Sequence, residues 1–348
     1  MFDIAVIGAG IAGLTAAQQL QQAGYSVVVL EKSRGVGGRV ATRRLYGTRA
    51  DHGLRYLEPN GEMLRRLVEL LCDRNILAVW TDRVYSCESK IPRYVAPEGM
   101  SAIAKFLATG LEIKLNQRVR AINVTDEKTW RLDFEANGDN IPEAINAKAA
   151  IVAIPAPQAS ILVEPLAESI LPTGFVDKLR AIEFDPCLAV MAGYPAQTEL
   201  NLDWNSVVFA DNSDIAWIGL DSSKRPNAEF PVFAIHSSAA FAKNYLDAED
   251  LNAAARHLLA TATAELNLSW LDAPAWYQIH RWRYAFPSQF WQSSYLDAEI
   301  SLPLICCGDW CGGNLVESAL NSGMAAANQI NRYIRDVPLP GIRFLDIF

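Results

Sequence analysis

Residues 8–13 read Gly-Ala-Gly-Ile-Ala-Gly, and the chemistry that this spacing serves is the binding of a diphosphate. Gly8 permits a tight turn out of the apolar run at residues 3–7. Gly10 lets backbone amides approach the phosphates, and Gly13 lets the following helix pack closely on the strand. Ala9, Ile11 and Ala12 complete the turn, where the amides and partial positive charge of a helix N-terminus stabilise an anion. Glu31 stands at the end of a second apolar run, residues 26–30. There it can accept hydrogen bonds from ribose hydroxyls and repel a 2′-phosphate. A dinucleotide cofactor is expected, and redox chemistry with it. The motif alone leaves FAD and NAD both open.

Lys32 and the stretch Gly35-Val36-Gly37-Gly38-Arg39 follow at once, adding a second glycine pair and a guanidinium suited to bidentate contact with phosphate oxygens. Residues 31–66 hold nine Lys or Arg against four Asp or Glu, and Arg43 and Arg44 fit either phosphate contact or plain surface. Farther along, His236 closes an apolar run and His280 opens another; each is a candidate for a substrate pocket or for a satisfied structural role. Residues 276–295 are the most aromatic stretch. Trp282 and Tyr284 alternate with Arg281 and Arg283, so one pair faces a cavity or core and the other faces away. No acid–base constellation stands out.

These groups need a scaffold. A strand at 3–7, a helix at 14–23 ended by Gly24 and a strand at 26–30 make a β–α–β unit. Strands are expected at 115–124, 130–134 and 149–154, with a hairpin turn at Asn137-Gly138-Asp139-Asn140. Runs at 188–194, 206–210, 215–220 and 232–236 suggest an antiparallel sheet, followed by a helix at 250–266. A strand at 303–307, Gly308-Asp309 and a helix at 314–333 would bring a second helix N-terminus to the cofactor, with Asp309 either hydrogen-bonding it or capping the helix. The fold class expected is α/β with two interleaved domains. A Rossmann-type cofactor domain takes residues 1–76, 97–160 and 300–340, and an antiparallel-sheet substrate domain takes 77–96 and 161–299.

Composition narrows the classes further. The chain has 348 residues, 51% hydrophobic and 20% charged, which excludes disorder and collagen; its net charge of −8 argues against a dedicated nucleic-acid binder. No signal peptide and no apolar span of membrane length stand out, so a cytoplasmic protein with no membrane partner is expected. Six cysteines without a Cys-x-x-Cys pair predict reduced thiols and no metal site, with Cys311 standing among the suspected cofactor residues. Oligomeric state is not legible.

Glu31 with Gly37-Gly38-Arg39, then Asp51-His52-Gly53, resembles the flavin-containing amine oxidase superfamily. The segments at 95–101, 220–225, 234–236, 280–284, 307–309 and 317–319 resemble its renalase branch. The resemblance implies non-covalent FAD. Ala12 and Arg39 would touch its diphosphate, Val119 the adenine, Asp309 a ribityl hydroxyl, and Leu54 and Arg55 the isoalloxazine. The implied cofactor set is therefore Gly8, Ala9, Gly10, Ile11, Ala12, Gly13, Glu31, Lys32, Gly38, Arg39, His52, Gly53, Leu54, Arg55, Val119, Gly308, Asp309 and Ser318, with Arg55, His236, Trp282 and Tyr284 as catalytic candidates. Leu54-Arg55 departs from the Ala-Gln usual in that family. The implied reaction is oxidation of the 2- and 6-dihydro isomers of NAD(P)H, with hydride passing to flavin N5 and electrons to O2, giving NAD(P)⁺ and H2O2. A flavin amine oxidase or desaturase, and a flavin-binding protein without turnover, are the alternatives.

Overall fold

The computed structural model of the protein describes residues 1–81, 91–136, 142–313 and 315–347. The strand Phe2–Ile7 runs into Gly8, the helix Ile11–Gln22 leaves directly from the turn, and the strand Val27–Leu30 returns parallel to the first. The helix starts three residues before the expected Leu14. Gly10 caps it in an extended conformation, and its carbonyl accepts from the Leu14 amide at 3.0 Å.

Among the described residues this unit belongs to an eight-stranded sheet. Leu304–Cys306, Ile145–Val152, Phe2–Ile7, Val27–Leu30 and Glu112–Lys114 run parallel in that spatial order. Both faces are covered near the middle, so Val27–Leu30 and Leu304–Cys306 read as unbroken apolar runs, while the edge strand Glu112–Lys114 keeps charged residues on either side of Ile113. Trp130–Phe134 adds antiparallel to Ile145–Val152 and carries Val119–Val124 beside it. The last helix, Leu315–Ile334, lies across the first, so close at Gly323 that a Cβ there would stand 2.3 Å from the Ala12 carbonyl oxygen.

The second sheet is antiparallel and ordered Ser206–Val208, Ile215–Leu220, Val232–Ser237, Phe184–Gly193, Trp276–Pro287. Leu188, Val190, Phe233 and Ile235 face one way and form a core with Leu258 and Leu259 of the helix Asn252–Leu266. Strand alternation turns Cys187, His236 and Trp282 the other way, toward the first sheet.

Several expected boundaries move. The strand expected from Leu115 begins at Val119, because Glu112–Lys114 pairs separately and Asn116 turns with φ 55°. The helix expected from Asp250 begins at Asn252, since the Asp250 side chain accepts from the Asn252 amide at 2.9 Å and ends the loop. His280 does not open its strand but sits inside Trp276–Pro287, whose start pairs with Gly193. The turn at Asn137-Gly138-Asp139-Asn140 lies outside the described residues, as does Asn314.

A buried four-charge cluster ties the two halves together. Lys224 Nζ stands 3.2 Å from Asp51 Oδ2 and 2.8 Å from Asp221 Oδ1, and Arg225 reaches the same carboxylates at 3.3 and 2.6 Å. Burial alone would raise the Asp51 carboxyl. Lys224 and Arg225 outweigh it and hold the group below the usual carboxylate range.

Candidate cofactor and active site

A cavity of about 1260 Å³ opens at the C-terminal ends of the parallel strands and extends to the second sheet. At its first end lies the glycine turn. Gly8 has φ 105° and a Cβ there would meet the Ala153 carbonyl oxygen at 2.5 Å; at Gly13 a Cβ would stand 2.0 Å from the Gly8 carbonyl oxygen. At Gly10 a Cβ would meet nothing within 4 Å, because that residue faces the open cavity. Glu31 is nearly buried. Its carboxylate accepts from the Ala9 amide at 2.9 Å and from the Ser33 amide at 2.8 Å, which fixes it on the wall. The space left before Gly10, the free helix N-terminus and this anchored carboxylate suit a dinucleotide.

Midway, Arg39 is held differently from the expectation. Its guanidinium donates to both Asp309 oxygens, at 2.6 and 2.7 Å, and to the Ala285 carbonyl at 3.1 Å. The loop after Leu304–Cys306 and the Gly37-Gly38 loop meet here, and opposite charges close the seam. Arg39 and Asp309 thus act on each other while both still line the cavity. The Leu54 amide donates to the Arg39 carbonyl at 2.8 Å, and a Cβ on Gly53 would stand 2.0 Å from that same oxygen, so residues 53–54 lie flat along this seam.

The far end is lined by imidazole and indole rings. His52 stacks on Trp282 with centroids 5.3 Å apart, His280 meets both rings edge-on, and the Trp282 indole donates to the His52 carbonyl at 2.6 Å. Tyr284 packs edge-on against Phe184. His236 stands on the adjoining wall. Burial first, then His280 and Arg43, pushes His52 down to about 3; burial and then Arg43 pushes His280 down to about 4. Burial followed by Arg55 also holds His236 well below the ordinary imidazole range.

These shifts have a measurable consequence. From the ordinary imidazole value of about 6.5 down to about 4, the unfolded chain binds protons at these histidines that the folded chain refuses, so stability rises with pH across that window. Each histidine contributes a slope of about 1.4 kcal/mol per pH unit. Urea unfolding between pH 7 and pH 4 should show a steep fall in midpoint, made shallower by His52→Phe. A flat profile would contradict the neutral assignment.

Several expected residues are not on the cavity wall. Gly13 and Ala9 lie behind it, Ala9 donating to Glu31. Val119 is buried in its strand, and Ser318 is buried with no partner for its Oγ among the described residues. Arg55 sits behind His236, over the Trp217 ring. Arg281 and Arg283 reach the cavity, yet their guanidinium groups are tied to carbonyls of Tyr245, Ala248 and Leu246, so neither is free to hold a substrate phosphate. Cys311 is buried off the wall, and burial raises its thiol well above the ordinary value. Ala153, Ile154 and Pro155, which line the cavity at the end of Ile145–Val152, were not singled out from sequence. The rule that ligands in α/β folds sit beyond the carboxyl ends of the strands would have located them. Among the described residues no cluster of His, Cys, Asp and Glu stands ready for a metal, and no helix is long and apolar enough to cross a membrane.

Comparison with known proteins converges on the same reading. Residues 6–71 match the model of an NAD(P)-binding Rossmann-like domain, and residues 66–331 match that of the flavin containing amine oxidoreductases. The flavin-containing amine oxidase of Oncorhynchus mykiss is 44% identical over 69 residues, 20% of this chain and 13% of that protein. An L-amino-acid oxidase of Echis ocellatus is 60% identical over 42 residues, 12% of this chain and 8% of that protein. Such curated relatives are matched over 14% of their length or less. A solved structure of putrescine oxidase, wild type bound to putrescine, superposes with a TM-score of 0.69 at 16% identity, covering 95% of this chain and 99% of that one, which establishes a shared fold. Through the second of those models, which spans most of its length, the chain belongs to the flavin-containing amine oxidoreductase family, with a Rossmann-type domain and an antiparallel-sheet domain for a flavin cofactor.

Proposed function

We propose that this chain oxidises a planar, anionic ring substrate rather than a free amine, and that the substrate is a 2- or 6-dihydro isomer of NAD(P)H, as in renalase-like enzymes. The charge of the cavity wall supports this reading. Lys32, Arg34, Arg39, Arg43, Arg44, Arg49, Lys105 and Arg281 line it against Glu31, Glu98 and Asp309, with Arg283 offset by Asp247, in a chain whose net charge is −8. The diphosphate of a bound FAD offsets part of that excess. An ammonium substrate would enter against the remaining field, and a dinucleotide would enter with it.

When bound, FAD supplies a two-electron acceptor that O2 can re-oxidise. The residues' task is then positional. The Trp282 ring, backed by His52, is proposed as the stacking surface, and the buried, neutral imidazoles keep further charge away from a ring that becomes cationic as it loses hydride. The balance is a dihydropyridine, a proton and O2 giving a pyridinium and H2O2. FAD is proposed to be held without a covalent bond: among the described cysteines only Cys187 lines the cavity, and burial lifts its thiol to about 11.

Anaerobic mixing separates the readings. Borohydride-made dihydro-NAD isomers should bleach the flavin, more slowly as salt is raised, while putrescine and benzylamine leave it yellow. Bleaching by amines alone would favour the amine oxidase alternative. Bleaching by no donor would favour a binding protein without turnover.

A further inference from the structure

We infer that Arg55 is a positioning residue, which locks His236 in a single tautomer and so plants one N–H donor on the cavity wall for a carbonyl oxygen of the substrate ring. This rests on the proposed oxidation of a nicotinamide-type ring, whose carboxamide carries such an oxygen.

The Arg55 Nε stands 3.0 Å from His236 Nδ1. Guanidinium has no acceptor, so Nδ1 must present its lone pair, and a neutral ring then carries its proton on Nε2. His236 is 1% exposed and forms part of the cavity wall, and its Nε2 has no partner among the described residues. The two ring nitrogens lie on different edges. Arg55 occupies one edge from behind, with its guanidinium 5.1 Å over the Trp217 ring and off the cavity wall, and we assign the other edge, with its buried Nε2, to the cavity side. A buried donor without an acceptor costs free energy unless a ligand supplies one.

A second arginine–imidazole contact stands nearby. Arg43 Nη2 stands 3.3 Å from His280 Nδ1, and His280 and His236 flank the same residue, Ala189, on neighbouring strands, so both imidazoles share one sheet face. The charged and titratable groups facing His236 are Arg55, Lys224 and His52, all of which oppose its protonation. An imidazole N–H donor backed by an arginine favours a neutral acceptor and disfavours an ammonium. Arginine at this position thus bears on substrate choice through His236 and not by touching the substrate.

The test uses the holoprotein. In ¹⁵N spectra of labelled wild type, the His236 ring, identified by its loss in His236→Gln, should carry its proton on Nε2. In Arg55→Met it should exchange between tautomers and titrate at higher pH. In anaerobic rapid mixing with the 6-dihydro isomer of NADH, Arg55→Met should raise the half-saturating concentration about tenfold with little change in limiting rate. His236→Leu should do the same. His236→Gln, whose amide oxygen can accept from Arg55 while its NH2 points forward, should restore most of the affinity. A wild-type His236 protonated on Nδ1, or an Arg55→Met with unchanged half-saturation, would overturn the inference. Should no isomer reduce the wild-type flavin, the functional reading fails, and the tautomer measurement still decides the role of Arg55.

Discussion

Gly10→Val will give a folded protein that stays colourless, while Gly13→Val will not reach the native fold. The two glycines stand three residues apart in one motif, and only their surroundings differ. Gly10 has φ −79° and ψ 179°, a conformation open to any residue, and a side chain there would project into empty cavity. Valine as the residue capping the helix costs about 1 kcal/mol, which a domain of this size tolerates. Its methyl groups would fill the space that a diphosphate needs. At Gly13 a Cβ would stand 2.0 Å from the Gly8 carbonyl oxygen, a backbone atom that cannot swing aside, so helix and strand must separate. Far-ultraviolet circular dichroism and visible flavin absorbance, measured on both purified variants, distinguish these fates. A yellow Gly10→Val protein would show that the cofactor's phosphates do not lie at this turn.

Lys224→Met should cost about 3 kcal/mol of stability, because it leaves two buried carboxylates to share Arg225 as their one cation. The side chains of Lys224, Asp51 and Asp221 are all 0% exposed, so water cannot replace the lost partner. Asp51 also accepts from the Thr42 hydroxyl at 2.6 Å and the Met100 amide at 2.9 Å, and it precedes His52. Loosening it should therefore weaken flavin binding as well. Adding Asp221→Asn to Lys224→Met should return part of the loss, giving a strongly non-additive double-mutant cycle in urea unfolding. A single-mutant cost below about 1 kcal/mol would mean that the four charges are solvated in solution.

The cofactor half of the site was legible where its parts are close in sequence. The glycine turn, the helix it starts, the returning strand and Glu31 all follow from relations over a few residues, which local sterics and hydrogen bonding settle. Trp282 and Tyr284 line the cavity, but so do Arg281 and Arg283, so the expected division into one pair facing in and one facing away does not hold along this wall. His280 was located, but at the wrong place in its strand, because burial on one sheet face does not mark where pairing begins.

What the chain's order alone determined, then, was the kind of cofactor and the turn that receives it, since that turn is built from neighbours. Tertiary structure decided which charges neutralise one another. Arg39 pairs with Asp309 across 270 residues and Arg55 with His236 across 181, and no local rule distinguishes a guanidinium aimed at phosphate from one aimed at a carboxylate or an imidazole. Packing of the two sheets brings these partners within hydrogen-bond distance, and the burial of Asp309 and His236 favours pairing over hydration there.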